Sequence, residues 1–185
     1  FRNATFRYHG AEIPAVNDVS FEVNPGETLA IIGGTGAGKT ALVNLILRYY
    51  DVESGSVEID GVDVRRMKQE TLRNMIALVP QKITVFSGTV NENVRMGKQN
   101  ATQEEIVHAC RVAQAEEFIE NLPSKYETQI SQGGTNLSGG QKQRLSIARA
   151  IVRKPQIYIF DDSFSALDFK TDSKVRSALA DETGN

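Results

Sequence analysis

An apolar run followed at once by a glycine-rich octapeptide constrains the fold of this chain more than any other feature. The run Thr28 to Ile32 is typical of a strand covered on both faces, and apolar residues recur at helical spacing from Thr40 to Tyr50. Between them lies Gly33-Gly34-Thr35-Gly36-Ala37-Gly38-Lys39-Thr40. A glycine-rich turn in this position lets backbone N–H groups surround phosphate oxygens at the positive end of the helix dipole. The pattern predicts a P-loop that holds a nucleotide, with Lys39 at the β and γ phosphates and Thr40 on Mg²⁺.

A second anion-binding helix start is predicted at Leu137-Ser138-Gly139-Gly140-Gln141. Ser138 is a good N-cap, and the two glycines after it leave backbone N–H groups uncovered. Downstream, the apolar strand Gln156 to Phe160 ends in Asp161 and Asp162. In a chain with a P-loop upstream, a carboxylate at the end of a strand is placed to reach Mg²⁺ directly or through water. Asp161 is therefore predicted to be a metal ligand.

Composition narrows the class of protein without naming a function. The 185 residues, 40% hydrophobic and 24% charged, fit one soluble globular domain. A net charge of -2 gives no electrostatic footprint for nucleic acid. The single cysteine, Cys110, favours a reducing compartment, and no apolar run approaches the roughly 18 residues of a membrane span. No signal peptide is predicted, and both ends look cut, so we interpret the chain as an excised domain of a longer protein.

The order of the predicted elements indicates an α/β fold. We expect a P-loop core with a mostly parallel sheet at about 1–80 and 155–185, an antiparallel β-subdomain at its start, and an inserted helical subdomain at about 81–154. Alternating residues predict outer strands at Thr5–Tyr8, Val19–Val23 and Ser56–Gly61. Helical composition and spacing predict helices at Thr71–Val79, at Thr102–Asn121, from Ser138 to Arg153, and at Lys170–Ala180. Thr102 and Glu105 have the spacing of a capping box.

The P-loop, the glycine-rich pentapeptide and the strand with its aspartates together resemble the nucleotide-binding domain of an ATP-binding cassette (ABC) transporter. The resemblance covers essentially the whole chain, and the stretch Gln81 to Val94 resembles the exporter branch. It implies that the N–H groups of Leu137–Gln141, the family's signature, address the γ-phosphate bound to an opposite domain.

Three further sites are implied by the same resemblance. Tyr8 matches an aromatic residue that stacks on adenine, although an ordinary strand aromatic would also explain it. Gln81 matches a glutamine that senses Mg²⁺ and nucleotide, so the resemblance places it with Thr40 and Asp161 among the metal residues. With Lys39 and Asp162, Gln81 also forms the implied catalytic group. Ser165-Ala166-Leu167-Asp168 matches the loop that crosses the seam between two such domains; we call it the seam loop.

The implied function is ATP-driven export. Binding of Mg·ATP closes two nucleotide-binding domains, and hydrolysis reopens them to drive transport through transmembrane domains of the same transporter. The implied cofactors are ATP and Mg²⁺. The implied partners are a second ABC nucleotide-binding domain, identical or different, and the transmembrane domains, with no nucleic acid. The implied location is the cytoplasmic face of the cell membrane.

Asp162 is the main departure from the family pattern. Active members carry a glutamate there that positions the attacking water. Aspartate is one methylene shorter, and a misplacement of about 1 Å costs on the order of 100-fold in rate. Asp162 beside a complete signature resembles the degenerate half of a heterodimeric exporter. Gln132 also stands where a glutamate is common, and the family's γ-phosphate histidine lies beyond the end of this chain.

Two alternatives compete with an ATP-hydrolysing transporter domain. The first is an ATP-gated clamp that binds nucleotide with little hydrolysis at its own site, which Asp162 favours. The second is a soluble cassette ATPase of DNA repair or chromosomes. Those proteins place a long coiled coil between P-loop and signature, and no sustained heptads lie between Thr40 and Ser138.

Overall fold

The computed structural model describes residues 1–184 and divides the chain into two compact units, Phe1–Ile76 and Ala77–Asn185. The strands are β1 (Arg2–Phe6), β2 (Val16–Val19), β3 (Ser54–Ser56), β4 (Glu58–Ile59), β5 (Val62–Asp63), β6 (Ile76–Val79), β7 (Gly88–Thr89), β8 (Gln129–Ile130) and β9 (Ile157–Phe160). The α-helices are α1 (Lys39–Ile46), α2 (Gln69–Met75), α3 (Val90–Arg95), α4 (Gln103–Val112), α5 (Glu116–Glu120), α6 (Gly139–Ile151) and α7 (Phe169–Thr183).

A three-stranded antiparallel sheet organises the first unit. Its order is β2-β1-β3, with Phe6 opposite Val16 across one pair of strands. Ala4 and Phe6 point to the same side and are buried, as the two-residue period of a strand requires. Helix α1 buries Ala41, Leu42 and Leu45 in this unit. The sheet and α1 therefore hold the two ends of the segment 20–38, which contains most of the predicted P-loop.

The predicted strand Thr28–Ile32 is wrong. The run has no regular secondary structure, and Ile32 is 93% exposed. A strand exists only if a neighbour takes its N–H and C=O groups. In residues 1–184, no strand pairs with this run.

Helices packed around α6 form the second unit. Strand β6, which begins at Ile76, pairs with β9, and the Asp161 N–H donates to the Val79 carbonyl at 3.0 Å. The side chains of α4 and α6 meet in a core that excludes water completely at several positions. The largest of these buried residues are Ile106, Ile119, Leu145, Ile147 and Ile151.

Two predicted helices end earlier than their composition indicated. The prediction for Thr71–Val79 is correct over α2 but wrong over Ile76–Val79, a run of apolar residues that becomes a buried strand because β9 pairs with it. The prediction for Thr102–Asn121 covers two helices, α4 and α5. Gln114 between them adopts φ +55°, a left-handed conformation that ends a helix.

The predicted capping box at Thr102 is confirmed. The Thr102 hydroxyl accepts from the Glu105 N–H at 3.2 Å, and the Glu105 carboxylate accepts from the Thr102 N–H at 3.1 Å. Glu105 also pairs with Lys98 at 2.7 Å and with Lys154 at 3.2 Å. Hydrogen bonds from Lys98, from the Thr102 backbone and from Lys154 lower the pKa of Glu105 from 4.5 to about 2.

This pKa makes the contribution of Glu105 to stability depend on pH. The folded value lies below the unfolded one, so the stabilisation is complete above pH 4.5 and is lost as pH falls toward 2. We expect Glu105→Gln to lower the thermal unfolding midpoint at pH 7 and to match wild type near pH 2, as followed by circular dichroism. Glu104→Gln, in the same helical turn, controls for the helix dipole. An equal difference at both pH values would contradict the expectation.

Candidate nucleotide-binding site

The predicted P-loop lies in the first unit and ends where α1 begins. Gly36 and Gly38 take φ of +82° and +84°, and α1 starts at Lys39. The Lys39 ammonium donates to the carbonyls of Gly33 at 2.6 Å and Gly34 at 2.9 Å. The lysine side chain therefore arches back over its own loop, which holds a positive charge above the backbone that would face a phosphate.

The start of α1 has the properties of an anion site. Its N-cap is Gly38, so no side chain occupies the first-turn N–H groups. The first turn, all of it within the described chain, contains no acidic residue. Thr40 lies exposed in this turn. Free amides, the helix dipole and a hydroxyl thus occur together, the combination that suits a phosphate with its cation.

Gly38 is required here by a close approach as well as by its backbone conformation. A Cβ atom at this position would lie 2.2 Å from the Ala15 carbonyl oxygen. Ala15 belongs to the loop that follows Tyr8, and its N–H donates to the Phe6 carbonyl at 2.8 Å. The end of the P-loop therefore packs against the loop that begins after Tyr8, the predicted adenine-binding residue.

Tyr8 belongs to a cluster of three aromatic rings. Its ring meets Phe6 edge-on at 4.8 Å and Tyr50 edge-on at 5.3 Å, and it remains 36% exposed. Such perpendicular contacts fix the orientation of a ring. Sequence reasoning missed Tyr50, because one tyrosine after a helix carries no periodic signal.

The Gly38 contact gives a stability prediction. In Gly38→Ala the new Cβ would overlap the Ala15 carbonyl, and alanine is disfavoured in the left-handed region by about 1–2 kcal/mol. We expect a loss of at least about 2 kcal/mol in the free energy of unfolding, measured by denaturant titration.

Gly34→Ala is the matched control for that measurement, since a Cβ at Gly34 meets nothing within 4 Å. Its free energy of unfolding should stay within about 0.5 kcal/mol of wild type. Equal losses in the two variants would show that the Ala15 contact does not decide stability.

The end of β9 brings together two predicted site residues of the second unit. The Gln81 side chain donates to the Asp162 carboxylate at 3.1 Å. Ser163, fully buried, donates to the Val79 carbonyl and to the Asp161 carbonyl at 3.2 Å. Sequence reasoning missed Ser163, which braces the turn from which both aspartates project.

Asp162 has a left-handed backbone, with φ +48°. Among residues other than glycine, Asp and Asn are several-fold enriched in this region. The backbone at this position therefore suits an aspartate better than the longer glutamate that the family pattern places there. The presence of aspartate in place of the family's glutamate at this position therefore agrees with its left-handed backbone conformation.

The predicted signature begins α6 with a capping box. The Ser138 hydroxyl accepts from the Gln141 N–H at 3.2 Å, and the Gln141 side chain accepts from the Ser138 N–H at 2.8 Å. The amides of Gly139 and Gly140 lie between these two capping groups. Ser138 and Gln141 thus fix the helix start, while the glycines keep their backbone open.

The seam loop packs against those glycines. A Cβ built on Gly140 would lie 3.2 Å from the Ala166 carbonyl oxygen, and one built on Gly139 would lie 3.8 Å from the Ala166 Cβ. Asp168 caps α7 by accepting from the backbone and hydroxyl of Thr171, and these hydrogen bonds lower the pKa of its carboxyl. The structure thus brings two separately predicted elements into contact.

Two arginines of α6 anchor other loops of this unit and were missed by sequence reasoning. Arg149 donates to the carbonyls of Asn93 and Thr84, both at 3.0 Å, and its guanidinium lies 5.3 Å from the Phe86 ring centre. Arg144 donates to the Gln114 carbonyl at 2.8 Å. Burial lowers the pKa of both guanidinium groups. Isolated arginines in a helix gave no signal in the sequence that their charges face the interior.

The proposed metal ligands have the right donor chemistry. The Thr40 hydroxyl and the Asp161 carboxylate are hard oxygen donors of the kind Mg²⁺ takes, together with phosphate oxygens. Within residues 1–184, no group of three or more His, Cys, Asp and Glu side chains is placed to hold a metal ion.

Comparison with known proteins identifies the family. The family model described as ABC transporter matches residues 16–165. An uncharacterized ABC transporter ATP-binding protein of Mycobacterium bovis is 50% identical over 185 residues, 98% of this chain and 31% of that protein. A Bacillus subtilis protein named as a candidate multidrug export ATP-binding/permease protein is 45% identical over 179 residues, 97% of this chain and 31% of that protein. The structure of a bacterial Atm1-family ABC exporter with ATP bound matches with a TM-score of 0.94 and 36% identity, over 99% of this chain and 32% of that one.

This chain belongs to the ABC transporter family. The exporter-type resemblance and the α/β fold class are thereby confirmed. The chain spans 31% of the length of these two curated relatives. Among residues 1–184, the helices are too short or too polar for any of them to cross a membrane.

Proposed function

We propose that this chain binds Mg·ATP, closes on a second ABC nucleotide-binding domain, and powers export through transmembrane domains of the same transporter. The observation that carries the proposal is the presence of two open helix starts of different construction. The start at Gly38 follows a P-loop, and the start at Ser138 carries a complete signature packed on the seam loop. One chain needs only one such site for its own nucleotide, so the second serves a nucleotide held elsewhere.

The roles within the chain's own site follow from its chemistry. Lys39 neutralises phosphate charge, and the amides of Gly33–Thr40 hold the phosphate oxygens. Tyr8 stacks on adenine. Thr40, Gln81 and Asp161 would supply oxygen ligands to Mg²⁺, which when bound would offset charge on the transferred phosphoryl group. Gln81 reports on the nucleotide.

The signature and the seam loop act on the partner domain. Amides at the start of α6 are directed to the γ-phosphate of the opposite nucleotide, and residues 165–168 lie at the seam. Relatives that are named as exporters and permeases support the attachment to transmembrane domains. The proposed location follows, at the cytoplasmic face of the cell membrane.

A clamp with little hydrolysis of its own is the second candidate, and Asp162 favours it. The carboxylate is short, and it is already hydrogen-bonded to Gln81 at 3.1 Å. A base that must also hold Gln81 is less free to orient a water. In this form the chain is the degenerate half of a heterodimer, and its signature completes the competent site of the partner.

Adenine stacking on Tyr8 gives a binding prediction. Loss of one base–aromatic stack costs about 1–3 kcal/mol, so Tyr8→Ala should weaken Mg·ATP binding by about 5- to 150-fold in isothermal titration calorimetry. Tyr8→Phe should stay within about twofold, because the ring remains.

Two controls make the stacking test specific. Tyr49→Ala removes another tyrosine of the same unit, 54% exposed, and should leave the affinity unchanged. Inorganic tripolyphosphate lacks a base, so its affinity should be the same for Tyr8→Ala and wild type. Equal weakening of ATP and tripolyphosphate would show that Tyr8 supports the fold of the site and does not bind the base.

Hydrolysis by the full-length protein tests the function as a whole. We expect a low Mg·ATP turnover rate for the protein alone and a higher rate when it is purified with its heterodimer partner. Lys39→Ala should abolish ATP binding at its own site in either state. Vigorous turnover by the protein alone would overturn the degenerate-site proposal and would make Asp162 an adequate base.

Replacing the short carboxylate separates the two candidates. If the site is otherwise built for catalysis, Asp162→Glu should raise turnover by about 10- to 100-fold. The left-handed backbone at this position should lower the stability of the same variant by about 1 kcal/mol. Asp162→Asn keeps the shape and should abolish own-site turnover without weakening ATP binding. No gain in Asp162→Glu favours the clamp.

A further inference from the structure

Gln143 has an unusual environment for a polar residue. It lies in the second turn of α6, and only 1% of its surface is exposed. Burying a carboxamide is unfavourable unless its hydrogen-bonding groups find partners. The Gln143 side-chain oxygen accepts from the Ala166 N–H at 3.0 Å. The partner is thus the backbone of the seam loop.

This hydrogen bond is one of several contacts that hold the seam loop, which also include the capping of α7 by Asp168. Close packing of the Ala166 carbonyl on Gly140 is another. A further contact is a hydrogen bond at 3.1 Å from the Ser165 hydroxyl to the Asp162 carbonyl. The loop is therefore attached both to the signature helix and to the turn that carries the aspartates. Of these contacts, only the hydrogen bond that Gln143 accepts from the Ala166 N–H can be removed without changing the signature or the loop itself.

We propose that Gln143 is a positioning residue that joins the seam loop and the signature into one rigid element. The inference rests on the proposed function, in which both elements meet the nucleotide and surface of the second domain. With the Ala166 N–H held by Gln143, the loop backbone cannot move away from Gly140. The signature amides and the seam residues then reach the partner in a fixed relative geometry.

The chain offers substitutions that isolate this contact. Gln143→Met keeps the length and the burial of the side chain but removes the carboxamide oxygen. Ser146→Ala removes another buried polar group of α6 and controls for a general effect of polar loss in the helix.

Two measurements on the full-length protein, purified with its partner domain, test the proposal. The first is hydrogen exchange without nucleotide, read on the peptide that contains residues 163–168. Loss of one hydrogen bond should speed exchange there by roughly 3- to 10-fold in Gln143→Met. The second is steady-state ATP hydrolysis, in which we expect kcat to fall about 10- to 100-fold with KM within about twofold.

Each result decides between a positioning role and a merely structural one. The proposal is supported if Gln143→Met shows both effects and Ser146→Ala, compared at its own unfolding midpoint, shows neither. Unchanged hydrogen exchange at 163–168 would show that Gln143 does not hold the loop. Faster exchange with a normal kcat would show that the hydrogen bond to Gln143 does not affect ATP turnover. Similar losses in Ser146→Ala would reduce Gln143 to a core residue. If the parent protein neither binds nor hydrolyses ATP, the proposed function fails, while the exchange result still decides the hydrogen bond.

Discussion

Backbone N–H groups that no side chain occupies are the constraint on which both functional regions depend. At α1 the cap is a glycine, and the crowding of Ala15 against Gly38 leaves room for no other residue. At α6 the cap is a reciprocal pair, Ser138 and Gln141, placed on either side of two glycines. Both arrangements leave donors for an anion. They differ in how the helix start is fixed, because the capping box at α6 uses side chains and the loop at α1 uses its backbone conformation.

Helix α6 holds the second unit together with two kinds of contact. Its apolar face supplies the most deeply buried residues of the core. Its polar side chains Gln143, Arg144 and Arg149 are turned inward as well, and each is hydrogen-bonded to a backbone carbonyl or N–H of a different segment of the unit. Buried hydrogen bonds to backbone fix loops more tightly than apolar packing does, because they are directional. These hydrogen bonds therefore hold the segments near the signature in fixed positions relative to the helix.

Sequence reasoning anticipated the elements whose signals are local. The P-loop with its helix, the capping box at Thr102 and the helix that starts at Ser138 depend on residues within a few positions of each other, and the structure contains all three. The errors at Thr28–Ile32 and Ile76–Val79 have one cause. Whether an apolar run becomes a strand depends on a partner that is distant in sequence.

The candidate site was predictable as a set of residues but not as a set of contacts. The hydrogen bond from the Gln81 side chain to the Asp162 carboxylate joins positions that are far apart in the chain. The bond from Ala166 to Gln143 involves a residue that a single sequence marks only as one polar member of a helix. Assignment of ligands to the named residues stays a prediction, since motif spacing specifies residue types and not the atoms that meet them.

The left-handed backbone of Asp162 has a consequence for how this domain can change over time. Asparagine and glycine tolerate the same conformation, so the carboxylate can be lost there at little cost to folding. Gaining the longer glutamate is the harder step, because it works against the local backbone. Selection for stability therefore exerts almost no pressure to keep the carboxylate, and only a need for turnover at this site would preserve it. An ABC domain built in this way can therefore lose the carboxylate at this position while the capping box of α6 keeps the start of that helix unchanged.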